Sequence, residues 1–141
     1  MPCKNVKKSN VSESFYHVYA RGASKQTIFL EPADYYYFIS LFHRYLSSKP
    51  NKDKLGINYP HLYGKVELLA YCLMGNHFHL LLYQVYQDSM SQLMKSIMTS
   101  YGRYFNFKYK KSGSLYESTY KASLINSDAY LTHISRYIHL N

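Results

Sequence analysis

The apolar and polar positions of this chain change period several times. "SFYHVYARG" (14–22) alternates in twos, as a half-buried strand does, and Gly22 closes it. "EPADYYYFISLFHRYLSS" (31–48) opens on Glu31, Pro32 and Asp34, a helix start, and then repeats Phe38, Leu41, Phe42 and Leu46 at helical spacing. "GKVELLAYCLM" (64–74) and "HFHLLLYQV" (77–85) read as two strands joined at Gly75-Asn76, a hairpin signal. Beyond Asp88 and Ser89, "MSQLMKSIMTSYGRYFNFKYKK" sets Leu93, Ile97, Met98, Tyr101 and Phe105 on one helical face, ended by Ser112-Gly113. "SLYESTYKASLI" (114–125) is strand-like, and Ser127 or Asp128 can cap a last helix, "AYLTHISRYIHLN", running to the final residue.

The predicted order is therefore β-α-β-β-α-β-α in a single domain spanning 1–141. Its first six elements have the order of an α+β, ferredoxin-like split βαβ sandwich with an antiparallel sheet. The polar stretch 47–60, with two prolines and one glycine, reads as a surface loop rather than a boundary.

Within "MGNHFHLLLY" (74–83), His77 and His79 point to one face of their strand and Phe78 to the other. Two imidazoles side by side can ligate one ion, or can be half-exposed sheet residues. In the split βαβ arrangement their strand is central, and the last helix can pack on their face. There Tyr137 and Asn141 share a helical stripe, with His133 one turn earlier. Two imidazole nitrogens, one carboxamide oxygen and one phenol then come within reach of each other. Mixed nitrogen and oxygen donors with open positions suit Mg²⁺ or Mn²⁺. Zinc fits less well, since no cysteine or third nearby histidine completes a tetrahedron.

Charge narrows the choice of partner. Lys and Arg number 17 against 8 Asp and Glu, a net charge of +9, which points to a polyanion, nucleic acid before an acidic membrane surface. Arg103, Lys108, Lys110 and Lys111 cluster at the end of the second helix, and Lys121 follows on the next strand. Tyr101, Tyr104 and Phe105 are interleaved with them, a pattern of phosphate contacts beside stacking rings. Tyr101 and Phe105 are nevertheless expected in the core. Cys3 and Cys72 make no disulfide framework, which fits a reducing cytoplasm. No run approaches a membrane span, and "MPCKNVKKSN" lacks the apolar core of a signal peptide.

"AYCLMGNHFHLLLY" resembles the His-hydrophobic-His (HUH) motif of single-tyrosine HUH transposases, in particular their REP-associated, transposase-like branch. "FYHVYARG", "IFLEPADYYYFISLF", "YGRYFNFKYKKSGSLYESTYKASLI" and "YLTHISRYIHLN" resemble the same family, in the right order along nearly the whole chain. Carried over, the resemblance makes His77 and His79 metal ligands and Tyr137 the nucleophile of a "YIxxN" segment on a C-terminal catalytic helix. Asn141 becomes the third ligand. Arg21 matches the family's Arg-Gly step and either contacts DNA or caps the sheet.

The implied activity is cleavage of single-stranded or hairpin DNA through a 5′-phosphotyrosine and a free 3′-hydroxyl, then rejoining. It would depend on Mg²⁺ or Mn²⁺ and be carried out by a monomer or homodimer in the bacterial cytoplasm, near the nucleoid. Neutral imidazole is the ligand form, so activity is expected to fall below about pH 6. Two features depart from the family. Gly75 stands where proline is usual, and the chain stops at Asn141 in mid-helix, so its C-terminal end is expected to be truncated. The alternatives are a catalytically inactive nucleic-acid-binding relative and a replication- or relaxase-type HUH nickase.

Overall fold

A computed structural model describes residues 9–140. Four strands, β1 (Ser14–Arg21), β2 (Val66–Leu73), β3 (His77–Gln84) and β4 (Lys121–Ile125), form one sheet in the order β2-β3-β1-β4. All three pairings are antiparallel. Three helices, α1 (Pro32–Leu46), α2 (Ser89–Tyr109) and α3 (Asp128–Leu140), complete the α+β split βαβ sandwich.

Alternation along the strands sorts the side chains to two faces. Tyr16, Val18, Phe78, Leu80 and Leu82 meet Phe38 and Leu41 of α1 and Leu93, Ile97, Tyr101 and Phe105 of α2 in the main core. This is where the sequence expects Tyr101 and Phe105. The other face carries a smaller core, in which Ala70, Cys72, Leu81 and Ile125 are covered by Ile134 and Ile138 of α3. β3 is thus apolar on both faces over most of its length. Its two histidines stand at the end nearest the hairpin turn, just beyond Leu81.

The start of α1 is built around Asp34, which is fully buried. Its carboxylate accepts the backbone N–H groups of Leu30 at 3.0 Å and Glu31 at 3.3 Å, the hydroxyls of Tyr104 at 2.8 Å and Tyr109 at 2.6 Å, and the Lys108 ammonium at 2.8 Å. Burial pushes this carboxyl upward, but the donors around it outweigh that and hold it at about 2. The anion at the first turn also faces the positive end of the helix dipole.

One expectation changes, and the expected hairpin forms without a left-handed residue. The predicted strand over 114–125 is paired as a strand only from Lys121, because the preceding residues turn away to bridge Gly22 through Tyr116. At the β2–β3 hairpin Met74 N–H bonds His77 O at 2.8 Å, and neither Gly75 nor Asn76 has positive φ. Glycine's left-handed freedom is therefore unused there.

Gly22 is different. A Cβ built on it would lie 2.3 Å from Gln26 O and 2.9 Å from Ile28 Cγ2. Its N–H also donates to Asn76 O at 2.8 Å, tying the end of β1 to the hairpin that carries His77. Gly22→Ala is expected to destabilise the fold by about 1–3 kcal/mol, the range for forcing atoms into a packed region. Urea unfolding checks this, and an unchanged midpoint would mean that residues 22–26 yield freely.

Candidate active site

The sheet face under α3 gathers the chemistry. Antiparallel register sets Tyr19 opposite His79 and Arg21 opposite His77, and on the other side of β1 it sets His17 opposite Ser123 and Tyr19 opposite Lys121. His17, Tyr19, Arg21, His77, His79, Lys121 and Ser123 therefore share one face, as side chains two residues apart must.

α3 lies across this face because Ile134 and Ile138 fall on one helical stripe and bury themselves there. Ser127 caps it, its Oγ accepting Tyr130 N–H at 3.1 Å. Tyr137 precedes Ile138 and flanks that stripe, 44% exposed, its ring meeting His79 edge to face with centroids 5.3 Å apart. The helix thus presents a reachable phenol beside the His79 imidazole.

Two adjoining clefts meet at Tyr19 and His79. One, about 330 Å³, is lined by Arg21, His77, Glu117, Ser118, Thr119 and Lys121 as well. The other, about 400 Å³, adds His17, Ser123, Tyr130, His133, Ile134 and Tyr137.

The histidines are held differently. His77 Nδ1 lies 2.8 Å from Asn76 Oδ1, so that nitrogen carries the proton it donates to the amide oxygen. His79 Nδ1 lies 2.9 Å from His17 Nε2. Burial first, and the neighbouring imidazole second, bring His17 and His79 each down to about 4. His77 is lowered too, by burial and then by Arg21. His17 and His79 thus stay neutral well below pH 6, His77 is displaced in the same direction, and the acid limit expected from an ordinary histidine shifts downward.

Among the described residues no three His, Cys, Asp or Glu side chains come together as a metal-holding group. His77 and His79 contribute two neutral nitrogens. Asn141, the third expected donor, lies outside the described residues. Cys72 sits opposite His79, but burial raises its thiol and so disfavours the thiolate. Two imidazoles beside an open cleft, with no soft thiolate, fit an ion that completes its shell with oxygen ligands and water.

The expected DNA-contacting cations divide into groups. Arg21 and Lys121 line the cleft beside His77 and His79. Arg21 is paired there with Glu117 at 2.8 Å. Arg103 lines a separate, larger cleft between α2 and residues 113–120. Lys110 and Lys111 stand exposed just after α2. Lys108 is not open to solvent in the same way: its ammonium is bound to Glu31, Asp34 and the Tyr104 hydroxyl. Those partners raise its pKa, Asp34 most and Glu31 next. It serves the start of α1 instead of standing out as a phosphate contact.

Two further histidines join the site, His17 of β1, to which the sequence pattern assigns no role, and His133 of α3. Both line the cleft beside Tyr137. The period of two in "FYHVYAR" already places His17 on the face of Tyr19 and Arg21. What the alternation does not reveal is that His79 lies on the neighbouring strand.

A family model described as "Transposase IS200 like" matches residues 61–141, more than half of the chain. No curated protein sequence matches it. Among solved structures, a REP-associated tyrosine transposase bound to a REP hairpin aligns with a TM-score of 0.58 at 9% identity, over 99% of this chain and 72% of that one. A protein described as a transposase from Deinococcus radiodurans R1 aligns with a TM-score of 0.54 at 14% identity, over 99% of this chain and 96% of that one. These structural likenesses establish the shared fold.

Proposed function

The chain belongs to the IS200-like transposase family, and from that premise we propose that it cleaves and rejoins single-stranded DNA at hairpins, with Tyr137 as nucleophile. The observation that carries the reading is the meeting of Tyr137 with His79 over one cleft, with His77, Arg21 and Lys121 on the same sheet face. Tyr137 Oη attacks the phosphorus of a phosphodiester and loses its proton to solvent. The bond from phosphorus to the 3′ oxygen breaks, and that oxygen leaves as a hydroxyl after taking up a proton. The product is a 5′-phosphotyrosine, and attack by another 3′-hydroxyl reverses the step and frees the tyrosine.

His77 and His79 would hold a Mg²⁺ or Mn²⁺ ion, with Asn141 as the third protein ligand. When bound, such an ion supplies Lewis-acid polarisation of a phosphodiester oxygen. Arg21 and Lys121 sit where they can neutralise phosphates beside the reacting bond. Arg103, Lys110 and Lys111 would hold the DNA farther from it.

The test uses a labelled hairpin oligonucleotide with single-stranded flanks, incubated with Mn²⁺ and run on a denaturing gel. A covalent protein–DNA band that EDTA abolishes is expected. Hairpin binding without any band in Mg²⁺ or Mn²⁺ would overturn the enzymatic reading in favour of an inactive binding relative.

Salt dependence separates the cations. Each cation that neutralises a phosphate of single-stranded DNA adds about −0.7 to the slope of log affinity against log salt. Lys110→Ala with Lys111→Ala is expected to flatten that slope by up to about this amount per residue. Lys108→Ala is expected to leave the slope nearly unchanged and instead to lower Tm, because buried Asp34 loses its cationic partner. Anisotropy titrations at several salt concentrations, alongside thermal melts, check both. A large slope change in Lys108→Ala would place DNA at the start of α1.

A further inference from the structure

We propose that His17 is the positioning residue of His79: its Nε2 accepts the Nδ1–H of His79 and so presents His79 Nε2, on the far side of the ring, as the ligating nitrogen. The inference rests on the metal-binding reading of His77 and His79, and adds to it a residue from a different strand.

The geometry is specific. The nitrogens are 2.9 Å apart, and the two ring planes differ by only 20°. The centroid separation of 5.1 Å is what this contact gives when the rings lie end to end in nearly one plane. The nitrogen lone pair then lies along the N–H···N line, as a hydrogen bond requires, instead of one ring face covering the other. His17 is itself buried, at 9% exposure, between Leu81 and Ser123 on the neighbouring strands, so its ring is held in place.

The chemistry sets the direction of the bond. A neutral imidazole carries one proton and one lone pair. If His79 ligates through Nε2, its proton is on Nδ1 and must be donated. The atom facing Nδ1 is His17 Nε2, which must then be the acceptor, with the His17 proton on its own Nδ1. Metal-bound histidines commonly donate their second N–H to a carboxylate or a carbonyl, which fixes tautomer and ring orientation. Here a neutral imidazole fills that place. It orients the ligand without adding negative charge to a site that must also admit a DNA phosphate.

His77 is held by another device, its Asn76 neighbour in the hairpin turn, at 2.8 Å. The two ligands therefore have independent supports, and loss of His17 should affect His79 alone.

The test compares wild type, His17→Leu and His17→Gln. Leucine keeps apolar bulk in a buried position and removes the acceptor. Glutamine restores an acceptor oxygen. In the metal-free protein, ¹⁵N NMR of the imidazoles should show a coupling across the His17–His79 hydrogen bond. In His17→Leu the coupling should vanish and the His79 tautomer should change, while the His77 signals stay unaltered. By calorimetry, Mn²⁺ affinity should fall about tenfold or more in His17→Leu, the lower end of the usual outer-shell effect, and recover most of that loss in His17→Gln. Thermal melts establish that each variant is folded.

Wild-type coupling that is absent, unchanged Mn²⁺ affinity in His17→Leu, or a loss in His17→Gln as large as in His17→Leu would overturn the proposal. Wild-type protein that shows the coupling but binds no Mn²⁺ would overturn the metal reading of the site, and with it the ligand role that His17 is argued to support.

Discussion

Tyr137→Phe is expected to eliminate the covalent protein–DNA adduct, lowering cleavage by about a thousandfold or more, as removal of a nucleophile does in other covalent enzymes. The change deletes one oxygen and keeps the ring. Tyr137 is 44% exposed and flanks the stripe of Ile134 and Ile138 that buries α3, so folding and hairpin affinity should stay close to those of the parent. Its edge-to-face contact with His79 is made by the ring and should also survive. The separation of chemistry from binding is what identifies a nucleophile: a tyrosine that only packed or stacked on DNA would keep its adduct as phenylalanine, because the ring that does the packing is retained. Denaturing gels and anisotropy on the same preparation read both quantities. Persistence of an adduct in Tyr137→Phe would assign the chemistry to another of the 18 tyrosines.

His77→Ala and His79→Ala should each abolish detectable cleavage and weaken Mn²⁺ binding by more than the roughly 10–100-fold typical of losing an outer-shell partner. Their structural consequences should differ. His77 is supported by Asn76 in an exposed turn, whereas His79 is the hydrogen-bond partner of buried His17. His79→Ala leaves that nitrogen without its partner and opens space under α3, so it should lower Tm more than His77→Ala. Calorimetry with Mn²⁺ and thermal melts check the pair. Unchanged metal affinity in both variants would remove the metal from this site.

Acid should act on the same histidines. In the metal-free protein His17 and His79 resist protonation down to about 4, while in the unfolded chain each takes up a proton near the ordinary value of 6.5. Above 6.5 neither state binds the proton and the folded state keeps its full stability. As pH falls from 6.5 towards 4 the unfolded state binds more protons, so stability declines across that window. The folded protein should still present neutral imidazoles at pH 5.5, where an ordinary histidine would be mostly charged. Urea midpoints measured between pH 7 and pH 4 should fall with acid in wild type and fall less steeply in His17→Leu. Equal slopes would show that other groups govern acid unfolding.

The order of elements, the split βαβ topology and the pairing of His77 with His79 on one face were legible in the chain, because they follow from local periods. A period of two assigns faces along β3, and a period near 3.6 puts Ile134 and Ile138 on one side of α3 with Tyr137 at its edge. Boundaries were legible only where a capping or turn residue marked them, as Ser127 does for α3. The strand over 114–125 was overextended because its alternation is genuine, but residues before Lys121 turn away to bridge Gly22 and so do not continue the β1–β4 ladder, which ends at Tyr19 and Lys121.

What only the tertiary structure decided are the encounters between residues far apart in sequence. His17 and His79 meet across 62 residues, and Lys108 and Asp34 across 74. No local period encodes either, because each depends on which strands are neighbours, on their register, and on how α1 lies against α2. The same charge count that marks the chain as a partner for a polyanion cannot say which cations are available to it. Burial of the Asp34 carboxylate requires a counter-charge, and Lys108 supplies it, while Lys110 and Lys111, two and three residues on, remain in solvent. The sequence by itself determined the fold, the two adjacent imidazoles and the helix that brings a tyrosine to them. Packing decided which histidine orients the ligand and which lysine is withdrawn from the surface, since those choices are settled by desolvation and by distance in three dimensions.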